Sequence, residues 1–232
     1  MDNPRDESLI EQGICNYGSN SYWDEYYKDA NRDVAIDEWY NINFNQLKFL
    51  VENSVSHSNI LLETSRVLHL GCGRSTVGIE MNNEYGCIVE NIDFSNVVIA
   101  EMSDKSNENN TGCRWHCMEC DKLKFQCQSF DIALDKAVFD SIYCGTSPRD
   151  SAWAYSSEVH RVLKEGGIWI IISYAPPEKI YEYFFNDDEL FGPILHFECL
   201  DCRKIVGKTV TSFALEGDVT YFAFTFMKQR PS

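Results

Sequence analysis

No stretch of this chain supplies the run of about 18 apolar residues that a membrane-crossing helix needs, so a transmembrane protein is not expected. Its start, Met1-Asp2-Asn3-Pro4-Arg5-Asp6-Glu7, lacks the basic-then-apolar pattern of a secretory signal. Both absences point to the cytosol or nucleus, with the cytoplasm as the expected location. Basic residues are also short: 20 Lys and Arg stand against 36 Asp and Glu, a formal charge of -16. Neutralising a phosphate backbone takes clustered Lys and Arg, which argues against nucleic acid as the main partner. A basic protein partner suits such a charge, as does the plainer explanation that acidity keeps the chain in solution. No internal repeat or low-complexity tract is visible.

What is present suits one domain. With 232 residues, 44% of them hydrophobic and 24% charged, the chain can bury a sizeable core without a second domain. Residues 1–20 are polar, acidic and without periodicity, which predicts a flexible acidic N-terminal arm ahead of a domain over 21–232. The ten cysteines include two pairs with metal-like spacing, Cys117-Met118-Glu119-Cys120 and Cys199-Leu200-Asp201-Cys202. The pairs lie far apart in the chain, and free cysteine packs well as a small buried hydrophobe. Buried thiols are therefore expected and no metal site, with zinc or a disulfide as the competing reading.

The chain is organised around Arg66-Val67-Leu68-His69-Leu70-Gly71-Cys72-Gly73-Arg74-Ser75. A short apolar run that stops at two glycines reads as a buried parallel strand, followed by a turn where backbone can approach a ligand closely. Thr76 to Tyr85 can form a helix whose free N–H groups face that turn, with Ser75 as its candidate N-cap. A second run, Cys87 to Ile92, ends in Asp93. An acid at the tip of the second strand, roughly 20 residues beyond the loop, is where a doubly wound fold holds a ribose by its hydroxyls. A dinucleotide fingerprint would place a third glycine at position 76, and this chain has Thr76, so a nicotinamide dinucleotide is the weaker reading.

Further along, Ser95 can cap a helix carrying Val97, Val98, Ala100 and Met102, and Ser106 to Gly112 reads as a loop. Cys113 to Cys117 and Phe130 to Leu134 read as the third and fourth strands, the latter ending at Asp135-Lys136. Trp153 to Leu163 reads as a helix stopped by Lys164 and Gly166-Gly167, and Ile168 to Ser173 as a central strand. A helix near Lys179 to Phe185 then precedes two extended segments, Phe197 to Val206 and Val219 to Met227. The order predicts an α/β fold: a Rossmann-like doubly wound seven-stranded sheet, mostly parallel, closed by a C-terminal antiparallel hairpin. Open sheets of this kind bind ligands at the carboxyl ends of their strands, so Gly71, Asp93 and Lys136 should converge.

Ahead of the first strand lie two aromatic groups, Ser21-Tyr22-Trp23-Asp24-Glu25-Tyr26-Tyr27 and Asp37-Glu38-Trp39-Tyr40. They suit a helix packed on the sheet, and equally the lid of a pocket. Phe44, Leu47, Phe49, Leu50 and Val51 then give an approximately helical apolar face.

Taken in order, Tyr22-Trp23-Asp24, Glu38-Trp39-Tyr40, Leu70-Gly71-Cys72-Gly73, Asn91-Ile92-Asp93-Phe94-Ser95, Asp131 through Asp140, and Glu158-Val159-His160-Arg161-Val162-Leu163 before Gly166-Gly167 resemble the elongation factor 1-alpha lysine methyltransferase 4-like branch of the class I methyltransferases. The resemblance covers Tyr22 to about Lys228. It implies S-adenosylmethionine (SAM) as methyl donor, methyl transfer as the activity, and a lysine of a basic protein, possibly elongation factor 1-alpha, as the acceptor. A small-molecule acceptor, or a SAM-binding scaffold without turnover, remains open. Carried over residue by residue, Trp23, Tyr27 and Trp39 would close over the cofactor and Gly71 would pass beneath its amino-acid part. Asp93 and Phe94 would take ribose and adenine, Glu119 and Cys120 would border the adenine, and Lys136 would lie beside the methionine end. The family more often has Asp at the position of Glu119, Val at that of Cys120, and Lys-Gly where this chain has Lys136-Ala137. Methyl transfer from a sulfonium rests mainly on positioning, so no catalytic triad is sought. A lysine with pKa about 10.4 must still lose its proton. Tyr174, after the fifth strand, is a candidate to line the acceptor channel, and packing on Pro176 as a rim aromatic explains it equally.

Overall fold

The computed structural model describes residues 16–29, 38–109, 112–185, 195–208 and 218–230. Seven strands form one sheet in the order β3-β2-β1-β4-β5-β7-β6. They are β1 (Arg66–Leu70), β2 (Ile88–Asp93), β3 (Arg114–Cys117), β4 (Phe130–Lys136), β5 (Leu163–Ser173), β6 (Phe197–Lys208) and β7 (Asp218–Lys228). The first five run parallel, while β7 lies antiparallel between β5 and β6, as the aromatic run Tyr221 to Phe226 leads one to expect. From β1 the chain steps outward to β2 and β3, then returns to β4 on the other side of β1. That reversal opens a crevice at the carboxyl ends of β1 and β4.

The helices are α1 (Asn20–Lys28), α2 (Phe44–Ser56), α3 (Val77–Tyr85), α4 (Asn96–Asn109), α5 (Val138–Tyr143), α6 (Pro148–Val162) and α7 (Pro177–Phe184). Side chains alternate across a strand, so the continuous apolar run of β5 feeds both faces. Trp169 and Ile171 pack with Leu68, Leu70, Phe139, Tyr155 and Phe184 under α5, α6 and α7. Ile168, Ile170 and Ile172 pack with Val67, Val77, Met81, Leu47 and Val51 under α2 and α3. A third cluster joins Trp23, Tyr26 and Tyr27 of α1 to Val98 and Met102 of α4.

Several boundaries differ from the sequence reading. Phe49 is 64% exposed, because it stands five residues from Phe44, opposite the face that Phe44, Leu47, Leu50, Val51, Ser54 and Val55 bury. It lies instead under the guanidinium of Arg203, 5.5 Å from its ring centre. Pro148 at the first helical position starts α6 five residues before Trp153, where proline's fixed φ suits a helix start. Leu163 belongs to β5, with an irregularity in its pairing to β4 taking up the segment in which Gly166 adopts φ +75°. Ser106 lies within α4, which continues to Asn109. Of the expected arm 1–20, residues 1–15 lie outside the described residues, as do Asp37, positions 110–111 of the loop, and the turn between β6 and β7. Asn16–Gly18 form a 3-10 turn just before α1.

Candidate active site

The crevice is a cavity of about 660 Å³, and all ten residues singled out from the sequence line it. The turn after β1 contributes Gly71, at φ +52°, where an added Cβ would meet Val138 Cγ2 at 2.4 Å. Only glycine satisfies both the left-handed backbone and this approach. Cys72 N–H reaches back to the Ile92 carbonyl at 2.9 Å, which ties the turn to β2.

Asp93 ends β2 with its carboxylate between two backbone donors, Gly73 N–H at 3.0 Å and Ser95 N–H at 2.9 Å. Burial pushes its pKa up to about 6, against the lowering effect of those two hydrogen bonds. No basic side chain forms an ion pair with it among the described residues. Ser95, directly before α4, gives its hydroxyl to Asp24 of α1. Asp24 therefore anchors the aromatic helix beside the acid, which is a reason for Asp to follow Trp23.

The aromatic groups turn out to be both core and cavity wall. Trp23, Tyr27 and Trp39 line the cavity, yet Trp23 and Tyr27 are buried and stacked at 5.9 Å. Trp23 Nε1 donates to the Tyr17 carbonyl at 2.6 Å, and Trp39 meets Trp23 edge-on at 5.5 Å. Arg74 fixes the end of α1 by donating to the Tyr27 carbonyl at 2.8 Å while paired with Glu101.

Glu119 and Cys120 close the side beyond β3, next to Phe94. The Glu119 carboxylate turns outward to Lys122 Nζ at 2.7 Å, so the longer side chain is spent on the surface. Burial keeps the Cys120 thiol protonated, a packing group rather than a thiolate. Cys117 and Cys120 sit at the β3 edge while Cys199 and Cys202 lie on β6, the opposite edge of a seven-stranded sheet. The two pairs cannot share one ion, but Cys117, Cys199 and Cys202 are exposed instead of buried, since both pairs lie on edge strands or just beyond them.

Lys136, at the end of β4, is held inside the wall, donating to Glu38 and to the Ile42 carbonyl at 3.0 Å. Glu38 also accepts Thr76 N–H at 2.7 Å and the Ser75 hydroxyl at 2.9 Å. The N-cap position of α3 is thus Thr76 with a carboxylate supplied from outside, while Ser75, one residue earlier, donates its hydroxyl to Glu38 and accepts Val77 N–H at 3.3 Å. A negative group at a helix N-terminus is favourable, and here it also compensates a buried ammonium. Sequence reasoning missed Glu38, Tyr40, Val138 and Asp140 as parts of this site. All four lay inside quoted motifs, but nothing local marks which way their side chains point.

Residues 67–167 match the family model described as a methyltransferase domain. The chain has the class I methyltransferase fold, with a methyltransferase-domain match over its central part. It is 32% identical to EEF1A lysine methyltransferase 4 of Bos taurus over 70% of this chain and 64% of that protein. The Mus musculus protein of the same name is 31% identical over 69% of this chain and 63% of that protein. The chain therefore spans somewhat under two thirds of the length of these relatives. Among solved structures it is similar in fold to Burkholderia thailandensis 1,6-didemethyltoxoflavin-N1-methyltransferase with bound 1,6-didemethyltoxoflavin and S-adenosylhomocysteine. That likeness has a TM-score of 0.59 at 17% identity, covering 99% of this chain and 94% of that one. The cofactor of such a domain is SAM. The residues present fit it: a carboxylate with no cationic partner among the described residues for a diol, a glycine wall for close approach, and aromatic surfaces for a flat base.

Proposed function

We propose that the protein is a SAM-dependent methyltransferase whose acceptor is a protein lysine, of elongation factor 1-alpha or another basic protein, in the cytoplasm. The observation that carries this reading is the meeting of Gly71, Asp93, the aromatic wall and Lys136 in one cavity at the reversal point of the sheet. In it, Asp93 holds the ribose hydroxyls, Phe94 with Glu119 and Cys120 borders the adenine, and Gly71 lies under the amino-acid part. Trp23, Tyr27 and Trp39 exclude water, and Lys136, fixed by Glu38, borders the methionine end. Bound there, the cofactor supplies a methyl carbon on a sulfonium sulfur: the acceptor's lone pair forms the new bond while the carbon–sulfur pair returns to sulfur as a neutral thioether. The chain's own part is to align the acceptor and keep water out, which is where most of the rate of such a transfer originates. The names of the relatives support a protein lysine, and so does the charge of -16, which steers a basic partner.

The test is labelled methyl transfer from SAM to purified elongation factor 1-alpha at low and moderate salt, beside a panel of small amines and thiols. Transfer to the protein that slows as salt rises is the expected result, because steering is screened over about 8 Å at physiological ionic strength. Methylation of small molecules only, insensitive to salt, would replace the protein acceptor by a small one. Cofactor binding without any transfer would leave a scaffold.

A further inference from the structure

Tyr40 and Asp140 line the same cavity, and the cofactor reading gives neither a role. Tyr40 stands at φ 64°, ψ 5°, with Asn41 next to it at φ 53°, a left-handed turn that bulky residues rarely adopt. Three contacts hold it there. Its phenol donates its hydrogen to Asp140 Oδ2, and its ring stacks on Tyr221 with centres 4.2 Å apart. Its carbonyl lies against Gly207 of β6, where a Cβ would come within 2.4 Å. The backbone is bent so that Trp39 and Tyr40, adjacent in sequence, both face the cavity.

Asp140 collects hydrogen from every side. Besides Tyr40 it accepts the Ser173 hydroxyl at 2.6 Å and Tyr174 N–H at 3.2 Å, and no basic side chain pairs with it among the described residues. Ser173 in turn accepts Ala175 N–H at 2.9 Å. A phenol has one hydrogen and two lone pairs, so with its hydrogen committed Tyr40 can only accept from the cavity. The Tyr40 and Ser173 hydroxyls both give their hydrogens to Asp140, so Tyr40 and Asp140 together present lone pairs and a negative charge. Tyr174, 64% exposed on the rim, adds an aromatic face 6.2 Å from Tyr221.

We propose that Tyr40, backed by Asp140 and flanked by Tyr174, is the recognition site for the acceptor's own reacting group, and that this group is a primary alkylamine entering as its ammonium. An ammonium brings three N–H donors and a charge that suits the carboxylate and the tyrosine faces. A carboxylate or phosphate acceptor meets only lone pairs and is repelled. The amine sheds a proton to water before transfer, and Tyr40 then orients it through a remaining N–H. The inference rests on the proposed methyl transfer to lysine and adds the residues that recognise the reacting amine.

The test is an NMR titration of the protein, with and without S-adenosylhomocysteine, using n-butylamine, n-butanol and sodium butyrate as probes. Saturable shifts at Tyr40 and Tyr174 with butylamine, and none with butyrate, are expected. Tyr40→Phe keeps the ring stack and should weaken butylamine about ten-fold or more, the loss expected for a hydrogen bond to a charged group. Tyr174→Leu, at an exposed position, should weaken it a few-fold. Calorimetric affinity for S-adenosylhomocysteine should stay within two-fold in both variants. Equal butylamine binding by wild type and Tyr40→Phe, or butyrate binding as well as butylamine, overturns the assignment. Absence of calorimetric binding by wild type would instead overturn the cofactor reading, and the titration without S-adenosylhomocysteine still decides the amine site.

Discussion

Lys136 and Glu38 form an ion pair inside the cavity wall, with side chains 3% and 17% exposed, and the same Glu38 carboxylate accepts the N–H of Thr76 at the start of α3. One carboxylate thus ties the segment carrying Trp39 and Tyr40 to both the glycine turn and β4. Burial lowers the Lys136 pKa in spite of the ion pair, so the ammonium depends on Glu38 for compensation. Removing one partner of a buried pair strands the other's charge and costs roughly 3–5 kcal/mol, whereas replacing both can be nearly neutral. Glu38→Ala should therefore lose about 3 kcal/mol in urea unfolding, and Glu38→Ala with Lys136→Met should recover much of it. A double variant no more stable than Glu38→Ala would show that the pair is not what stabilises the wall.

Asp93 predicts a pH dependence of cofactor binding. Its pKa of about 6 means that the carboxylate needed to accept ribose hydroxyls is progressively protonated below that pH. The dissociation constant for S-adenosylhomocysteine should be flat above about pH 7 and rise about ten-fold per unit well below 6. Stability moves differently. An Asp whose folded pKa lies above its unfolded value of about 3.9 stabilises the fold on acidification through that window. His69 and His160, lowered by burial to about 4, lose stability for the fold as pH falls from about 6.5 toward 4. The contributions oppose, so calorimetric titration is the measurement; an affinity unchanged between pH 7 and 5 would remove Asp93 from the ribose.

Gly71 and Val138 should be coupled energetically. Gly71→Ala puts a methyl 2.4 Å from Val138 Cγ2 and leaves alanine at φ +52°. The backbone term alone is about 1–2 kcal/mol, with overpacking adding about 1–3 kcal/mol. Val138→Ala should relieve the second contribution and not the first. A double-mutant cycle by urea unfolding should give a coupling of about 1 kcal/mol or more; strict additivity would mean that the turn moves away from α5 instead of pressing on it.

The cysteine pairs should not bind zinc. Neighbouring strands lie about 4.8 Å apart, so β3 and β6, six strand spacings from one another, are separated by more than 25 Å. Chelator should leave the melting temperature unchanged, and elemental analysis should find no stoichiometric metal. One zinc per chain would require a set of ligands drawn from outside the described residues.

The strands, the glycine turn and the acid at the tip of β2 were legible because each is written locally: an apolar run of strand length, two glycines where the chain turns left-handed, a carboxylate directly after a buried strand. The aromatic segment was legible as a group, yet not as core or wall, because a buried tyrosine and a cavity-lining one have the same neighbours in sequence. Phe49 misled because the 3.6-residue period leaves a single position ambiguous until a helix is set against its sheet. Composition and local pattern by themselves therefore determined the order of elements, the doubly wound class and the place of the crevice. The pairing of Tyr40 with Asp140 and of Glu38 with Lys136, 100 and 98 residues apart, was decided only by the tertiary structure. Contacts at that separation carry no period and no local signature, since what selects them is the burial of charge and hydrogen-bonding groups once the sheet has closed around them.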